Sequence, residues 1–456
     1  MNTLPTFKTN ETKMFKFTNE QYYRLEIEYN RYIYYKSLIK QFEKILNITE
    51  ITDYNNTNNN NTNNNNRKKY ENKNIIDRFI LECINHGITP YIEHEEHIDQ
   101  NKNNNKNINI DPNIDHKLEI NFDTLSSYLF FNNTLDNAIN LQNTIYYKKM
   151  ISEYNEKKIR ITPEKLLQIN KAIVDSNKQF KQFQVESNAN LNMYKNTKNS
   201  RYISISCSIT LQNNEYFIIK YRDYFKIINI NRYYKLIKNY DKPYPFDIIK
   251  MLLRYSIFDM SSQQWSIGDN LYEDISEIFN ISFEMFASPL NFNMNMFCSI
   301  FYDTDHIFGS IGSFYSLDVD KFLNQNIKGV FFNPPYLPLL MNNSTKQCLK
   351  LLDNMNKIDK DFTVVSFLPN WDDAEYIKNF VNSKYTVSSR IVSKGNYILH
   401  EKDKGKFING TFDLLVIVLN SMKSNWDNEK KKYTIDGINK IIEIMKIESR
   451  EVFIRK

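Results

Sequence analysis

"KGVFFNPPYLPLL", residues Lys328–Leu340, sets two adjacent prolines directly behind a run of apolar and aromatic residues. Each proline removes a donor that a strand ladder needs, so a strand that includes Val330 and Phe331 must stop where Asn333 begins. Three more apolar runs lie around it: "SFEMFAS" from Ser282, "DFTVVSFLPNW" from Asp361 and "FDLLVIVLNS" from Phe412. Helical stretches separate the runs, and in one of them Cys348, Leu351, Leu352, Met355 and Ile358 mark a single face. Continuous apolar runs alternating with helices predict βαβ units around a buried parallel sheet. Ligands of such sheets sit beyond the carboxyl ends of the strands. Asn333-Pro334-Pro335-Tyr336 stands at such an end.

Toward the N-terminus the texture changes. "RYISISCSITLQNNEYFIIKY", Arg201–Tyr221, alternates as a hairpin turning at Asn213-Asn214. Before it the pattern is helical. Apolar residues recur at helical spacing in "NEQYYRLEIEYNRYIYYKSLIKQFEKIL", and "NIIDRFILECINHG" reads as a helix ending at Gly87. Thr162-Pro163 is an N-cap with proline at the first helical position, opening "EKLLQINKAIV". Two asparagine tracts, residues 55–66 and 101–109, hold too little apolar surface to offset chain entropy and read as disordered insertions. The expected organisation is a mainly helical domain over 1–195, an α/β domain over 196–425 and a C-terminal extension over 426–456.

The bulk numbers fit an intracellular, soluble protein. Of 456 residues 41% are hydrophobic, and the formal charge of +6 allows an anionic partner without demanding one. Four cysteines lie far apart with no CxxC pair, so neither a disulfide framework nor a zinc site is expected. The opening "MNTLPTFKTN" is too polar for a signal peptide, and the longest aliphatic run, Leu414–Leu419, is far too short to span a bilayer. "HEEH" at His94–His97 lacks the HExxH spacing and reads as a solvated turn.

Proline offers a carbonyl and no N–H. An Asn ahead of two prolines therefore presents its side-chain oxygen and the Pro334 carbonyl with few donors competing for them. That suits a group that must donate two hydrogen bonds, such as the exocyclic amine of adenine. Its lone pair is delocalised into the ring, and two fixed acceptors favour a pyramidal nitrogen that frees it for attack. An aromatic at the fourth position can stack on the base. The chemistry implied is methylation of an amine by a sulfonium donor. The alternative for the isolated tetrapeptide is a rigid turn after a strand.

"SFEMFASPLN", Ser282–Asn291, resembles the acid-x-Phe-Ala-small stretch that opens the S-adenosylmethionine pocket of adenine N6-methyltransferases. With "LLRY" (Leu252–Tyr255), "FCSIFYDTDHIFGSIGSF" (Phe297–Phe314), "NPPY", "FLPNW" (Phe367–Trp371) and "VIVLNS", the chain from about 252 to 421 resembles the phosphorylated-CTD-interacting-factor family of cap-specific adenosine N6-methyltransferases. The resemblance implies a class I, Rossmann-like S-adenosylmethionine-dependent methyltransferase domain behind a mainly helical domain. It implies S-adenosyl-L-methionine as cofactor and capped RNA, the mRNA 5′ end, as partner, with a cap-adjacent 2′-O-methyladenosine as the nucleotide modified. By position, Asn333, Pro334, Pro335 and Tyr336 match the catalytic tetrapeptide. Glu284, Ala287, Ser288, Pro289 and Asn291 match the cofactor-side loop. Asp303, Asp305, Phe308, Gly309 and Ser310 match the acidic and small-residue stretch, where an acid would bind the cofactor's ribose. Asn370 and Trp371 match a turn that touches substrate.

Two departures stand out. The paired tryptophans of a WW domain are not seen, which argues against recruitment through the polymerase tail. A Glu expected two residues beyond the tetrapeptide is replaced by Pro338. The motif sees only an amine, so adenine in DNA or internal RNA is a rival substrate, and an inactive cap- or RNA-binding homologue is a rival class. Arg160, Arg201, Arg222 and Arg232 are candidates for the cap triphosphate. The compartment is nuclear, or cytoplasmic if the source is viral.

Overall fold

In the computed structural model the apolar runs lie side by side in one six-stranded sheet. Residues 12–16, 19–45, 202–207, 216–238, 245–256, 264–317, 319–371 and 374–454 are described, with separate helical positions between 164 and 186. The chain divides into two units. One comprises Met1–Phe17, Ser200–Leu252 and Met260–Lys456; the other comprises Thr18–Asn199 and Leu253–Asp259.

The large sheet belongs to the first unit. Its strands are β6 (Phe283–Glu284), β7 (Met296–Phe297), β8 (Gly329–Phe332), β9 (Thr363–Pro369), β10 (Thr386–Val392) and β13 (Leu414–Asn420), in the spatial order β10-β13-β9-β8-β6-β7. β7, β6, β8 and β9 run parallel. β13 is antiparallel to both β9 and β10. The sequence expectation of a parallel sheet therefore holds for four strands and fails for β13. A strand buried on both faces carries no signal of its direction, and all seven residues of β13 are buried.

Helices cover both faces. α7 (Pro338–Lys357) follows β8 and buries Cys348, Leu351, Leu352 and Met355 in the core beneath the sheet. Ile358, expected on that face, is instead 43% exposed, because the helix ends just before it. On the other face α4 (Asp269–Phe279) packs with α9 (Asn428–Ile454), which brings Ile438, Ile441, Ile442 and Met445 into the second core cluster. The stretch set apart in the sequence as a C-terminal extension is thus a layer of the fold. Each such fully buried aliphatic side chain contributes roughly 1.5–3 kcal/mol.

Gly329 opens β8 for a packing reason. A Cβ there would lie 2.6 Å from Ile281 and 2.9 Å from the carbonyl of Asn280. That contact sets the strand that carries the proline turn close against the chain entering β6.

A four-stranded antiparallel meander, β1 (Thr12–Lys16), β2 (Tyr202–Cys207), β3 (Tyr216–Tyr221) and β4 (Tyr224–Asn229), belongs to the same unit. Its β2–β3 pair is the hairpin read from the sequence. α2 (Ile230–Lys238) and α3 (Pro245–Tyr255) lead on to a third sheet, β12-β11-β5, made of Lys406–Asn409, Ile398–Glu401 and Trp265–Ser266.

In the second unit α1 (Asn19–Ile45) covers the first helical stretch expected from the sequence. Its Glu28 accepts two hydrogen bonds from Arg254, at 2.9 and 2.6 Å, with both side chains almost fully buried. The "LLRY" stretch so supplies a structural cation. The asparagine tracts, the helix ending at Gly87, His94–His97, Arg160 and Arg201 lie outside the described residues. Among the described residues no helix is long and apolar enough to cross a membrane.

Candidate functional site

β8 delivers Asn333 to the carboxyl edge of the sheet. The backbone then folds tightly, Leu337 donating its N–H to the Pro335 carbonyl at 2.7 Å, and Pro338 starts α7 at its first turn. Pro338, where a Glu was expected, is therefore a helix opener. Asn333 Oδ1 is buried with no hydrogen-bond partner. Burial above all pushes the Tyr336 phenol well above its ordinary range, so it stays protonated, and the neighbouring Asn333 side chain opposes that shift only slightly. The Tyr336 ring meets Phe412 edge-on at 5.5 Å.

β9 ends beside it. Asn370 donates its N–H to the Asp413 carbonyl at 2.7 Å, and the Pro369 carbonyl accepts the hydroxyl of Tyr376 at 2.6 Å. Trp371 packs edge-on against Tyr376 at 6.2 Å and is partly exposed. Tyr376 is held in turn by Asn342 of α7, whose Oδ1 accepts the Tyr376 N–H at 2.9 Å. Sequence reading picked out Asn370 and Trp371 and missed these supports. Phe412 meets the Tyr336 ring and the adjacent Asp413 carbonyl meets Asn370, so one segment touches both turns.

On the other side of β8 lies β6. Phe286 packs 5.3 Å from Phe332, so the loop after β6 meets the base of the proline turn. Glu284 is 2% exposed and its carboxylate is turned to the protein: Oε2 accepts the N–H groups of Asn293 and Met294 at 2.7 and 3.0 Å, and Oε1 the Asn293 amide at 3.4 Å. Its place is that of a loop anchor. Ala287 donates its N–H to the Cys298 carbonyl at 2.9 Å, joining this loop to the chain beyond β7. Ser288, Pro289 and Asn291 form a closed turn. The Asn291 Oδ1 accepts the Ser288 N–H at 2.7 Å, and the Ser288 hydroxyl accepts the Leu290 N–H at 3.1 Å and bonds Gln264 at 2.5 Å.

Beyond β7 the stretch with Asp303, Asp305, Phe308, Gly309 and Ser310 winds through a helical turn, Tyr302–Asp305, and a 3₁₀ turn, His306–Phe308. Gly309 has φ of 101°, a left-handed conformation that favours glycine. Ser310 then bridges back parallel to Phe297, and its hydroxyl pairs with that of Ser299 at 2.7 Å. Asp305 is fully buried and accepts the Thr304 hydroxyl at 2.9 Å, while Asp303 is partly exposed. All four predicted groups of residues thus lie at the carboxyl edge, on neighbouring strands.

Arg232 is a correction. It was a candidate for the cap triphosphate, yet it is 3% exposed and its guanidinium donates to the carbonyls of Pro289 and Phe292. Arg222 remains at the surface, beside the Tyr221 ring at 5.8 Å.

A mixed α/β sheet with four parallel strands, helices on both faces and polar loops gathered at its carboxyl edge is compatible with a Rossmann-like methyltransferase. A family model described as the phosphorylated CTD interacting factor 1 WW domain matches residues 225–402, and the family resemblance read from the sequence is borne out over that stretch. The mRNA (2′-O-methyladenosine-N(6)-)-methyltransferase of Mus musculus is 32% identical over 123 residues, and that of Homo sapiens is 31% identical over the same length. The alignment takes in 27% of this chain and only 16% of either relative.

Proposed function

We propose that the chain is an S-adenosylmethionine-dependent RNA methyltransferase that modifies N6 of the cap-adjacent 2′-O-methyladenosine of mRNA. The observation that carries this reading is Asn333 Oδ1: a buried acceptor without a partner, one residue before two prolines, at the carboxyl end of a central strand. Leaving such an atom unpaired costs about 1–3 kcal/mol. An amine that donates to it recovers that cost at the moment of binding. The spatial order β10-β13-β9-β8-β6-β7, with one reversed strand between two that run together, supports a class I methyltransferase sheet.

The residues at the carboxyl edge fit a phosphate-free nucleoside cation. The partly exposed Asp303 carboxylate suits ribose hydroxyls, with the buried Asp305 behind it, and the Phe286 ring offers an aromatic face. The loop after β6 has no glycines of a phosphate cradle. When bound, S-adenosylmethionine supplies an electrophilic methyl group on sulfur. Asn333 Oδ1 and the Pro334 carbonyl hold the two N–H bonds of the adenine amine, aim its lone pair and stabilise the positive charge that develops on nitrogen. Tyr336 stacks on the base. Trp371 supplies a second aromatic contact. No covalent enzyme intermediate is needed.

The cap assignment rests on the relatives and is tested with matched substrates. Purified protein and labelled S-adenosylmethionine are incubated with capped RNA beginning in 2′-O-methyladenosine, its uncapped twin, an internal-adenosine RNA and single-stranded DNA. Label confined to the capped RNA is the expected result. Equal label on every adenine substrate would retain the chemistry and discard the cap.

A further inference from the structure

Three buried or half-buried cations converge on one loop. Arg232 Nε and Nη2 donate to the Pro289 carbonyl at 2.9 and 2.6 Å, and Nη1 donates to the Phe292 carbonyl at 2.8 Å. Its guanidinium lies over the Phe292 ring, 4.2 Å from the centroid. Lys235, one turn further along α2, donates to the Asn293 carbonyl at 3.1 Å. Lys402, 4% exposed at the tip of the β11–β12 hairpin, donates to Asn293 Oδ1 and pairs with Asp269.

What these donors supply is position: the carbonyls of Pro289, Phe292 and Asn293 are each held, and Asn293 is gripped from both ends. Its backbone N–H meets Glu284, its carbonyl meets Lys235 and its side chain meets Lys402. The loop so held, Ser288–Asn293, is the one assigned above to the cofactor side of the site.

We infer that Arg232, backed by Lys235 and Lys402, is a positioning residue that fixes the Ser288–Asn293 loop for binding of the sulfonium nucleoside. The inference rests on the methyltransferase reading. Arg232 touches neither cofactor nor RNA; it acts through the carbonyls of Pro289 and Phe292.

The test compares the parent chain with Arg232→Met, Arg232→Lys and Lys235→Met. Amide hydrogen exchange at Leu290, Asn291 and Phe292 reads the loop without any ligand. Calorimetry with S-adenosylmethionine and binding of capped RNA read the two ligands separately. Arg232→Met is expected to speed exchange in the loop and to weaken S-adenosylmethionine roughly tenfold, the scale of one lost charge-assisted contact. RNA affinity and the rate at saturating cofactor should stay within about twofold. Arg232→Lys should fall between parent and Met. Lys235→Met, which removes one contact of the set, gives the same pattern at smaller size and serves if Arg232→Met does not fold. Unchanged cofactor affinity in variants whose loop exchanges faster would overturn the inference, as would a loss confined to RNA. A parent chain that binds no S-adenosylmethionine would overturn the methyltransferase reading itself, and the exchange data would separate that failure from failure of the clamp.

Discussion

The Asn333 side chain stands beside the Tyr336 hydroxyl and favours its ionised form, while Asn333 Oδ1 is buried and unpartnered. In the proposed reaction the Tyr336 ring does the stacking. Tyr336→Phe keeps that ring and should lower single-turnover methyl transfer by no more than about threefold, less than one hydrogen bond is worth. Tyr336→Ala also removes the ring, worth about 1–3 kcal/mol of base stacking, and should cost 10- to 100-fold more. Because burial holds the phenol protonated, the parent and Tyr336→Phe should share one pH–rate profile on the alkaline side.

Gly329 has no room for a side chain. A methyl group would meet Ile281 at 2.6 Å and the Asn280 carbonyl at 2.9 Å. Gly329→Ala should destabilise the fold by about 1–3 kcal/mol through overpacking, read from the urea midpoint, and should weaken catalysis by shifting β8 beneath Asn333.

The Glu28–Arg254 pair makes the second unit sensitive to one atom exchange. Glu28→Gln leaves a guanidinium buried without its counter-charge, and Arg31, 3.3 Å from the same carboxylate, adds to the loss. A destabilisation of about 3–5 kcal/mol is expected by chemical denaturation. A change below 1 kcal/mol, on the same estimate, would contradict the burial described.

His400 gives the fold an acid-sensitive element. Its ring stacks on Phe407 at 4.4 Å, and burial first, then Lys402 and Arg232, lower its pKa from 6.5 to about 4, with Asp269 opposing. Between those values the unfolded chain binds a proton that the folded chain refuses, so stability rises with pH there. The contribution is present above pH 6.5 and is lost as pH falls toward 4. Urea midpoints of His400→Phe should therefore fall less steeply over that window than those of the parent.

How far the sequence carried depended on what kind of contact each residue makes. The proline turn was legible because Pro334 and Pro335 forbid a ladder. The apolar runs announced β8, β9 and β13 but not the reversal of β13, since a fully buried strand reads the same in either direction. Asn370 and Trp371 could be found through resemblance, whereas Tyr376 and Asn342 act through contacts 34 residues apart that leave no periodicity. Arg232 was misread for a related reason. An isolated arginine in an amphipathic stretch looks solvated, and only the fold shows that carbonyls 57 and 60 residues away receive its donors. Glu284 was expected on the cofactor side, and its carboxylate is turned to Asn293 and Met294, which spacing does not encode.

The most direct measurement is methyl transfer by Asn333→Ala, with S-adenosylmethionine affinity and thermal stability taken on the same preparation. The alanine deletes an unsatisfied buried acceptor, so the fold should be no less stable and cofactor binding nearly unchanged. Transfer to capped RNA should drop by at least about 10²-fold, the scale of one preorganised polar contact to a developing charge. Transfer at the parent rate by a folded, cofactor-binding Asn333→Ala would contradict the assignment of Asn333 as the acceptor that activates the amine.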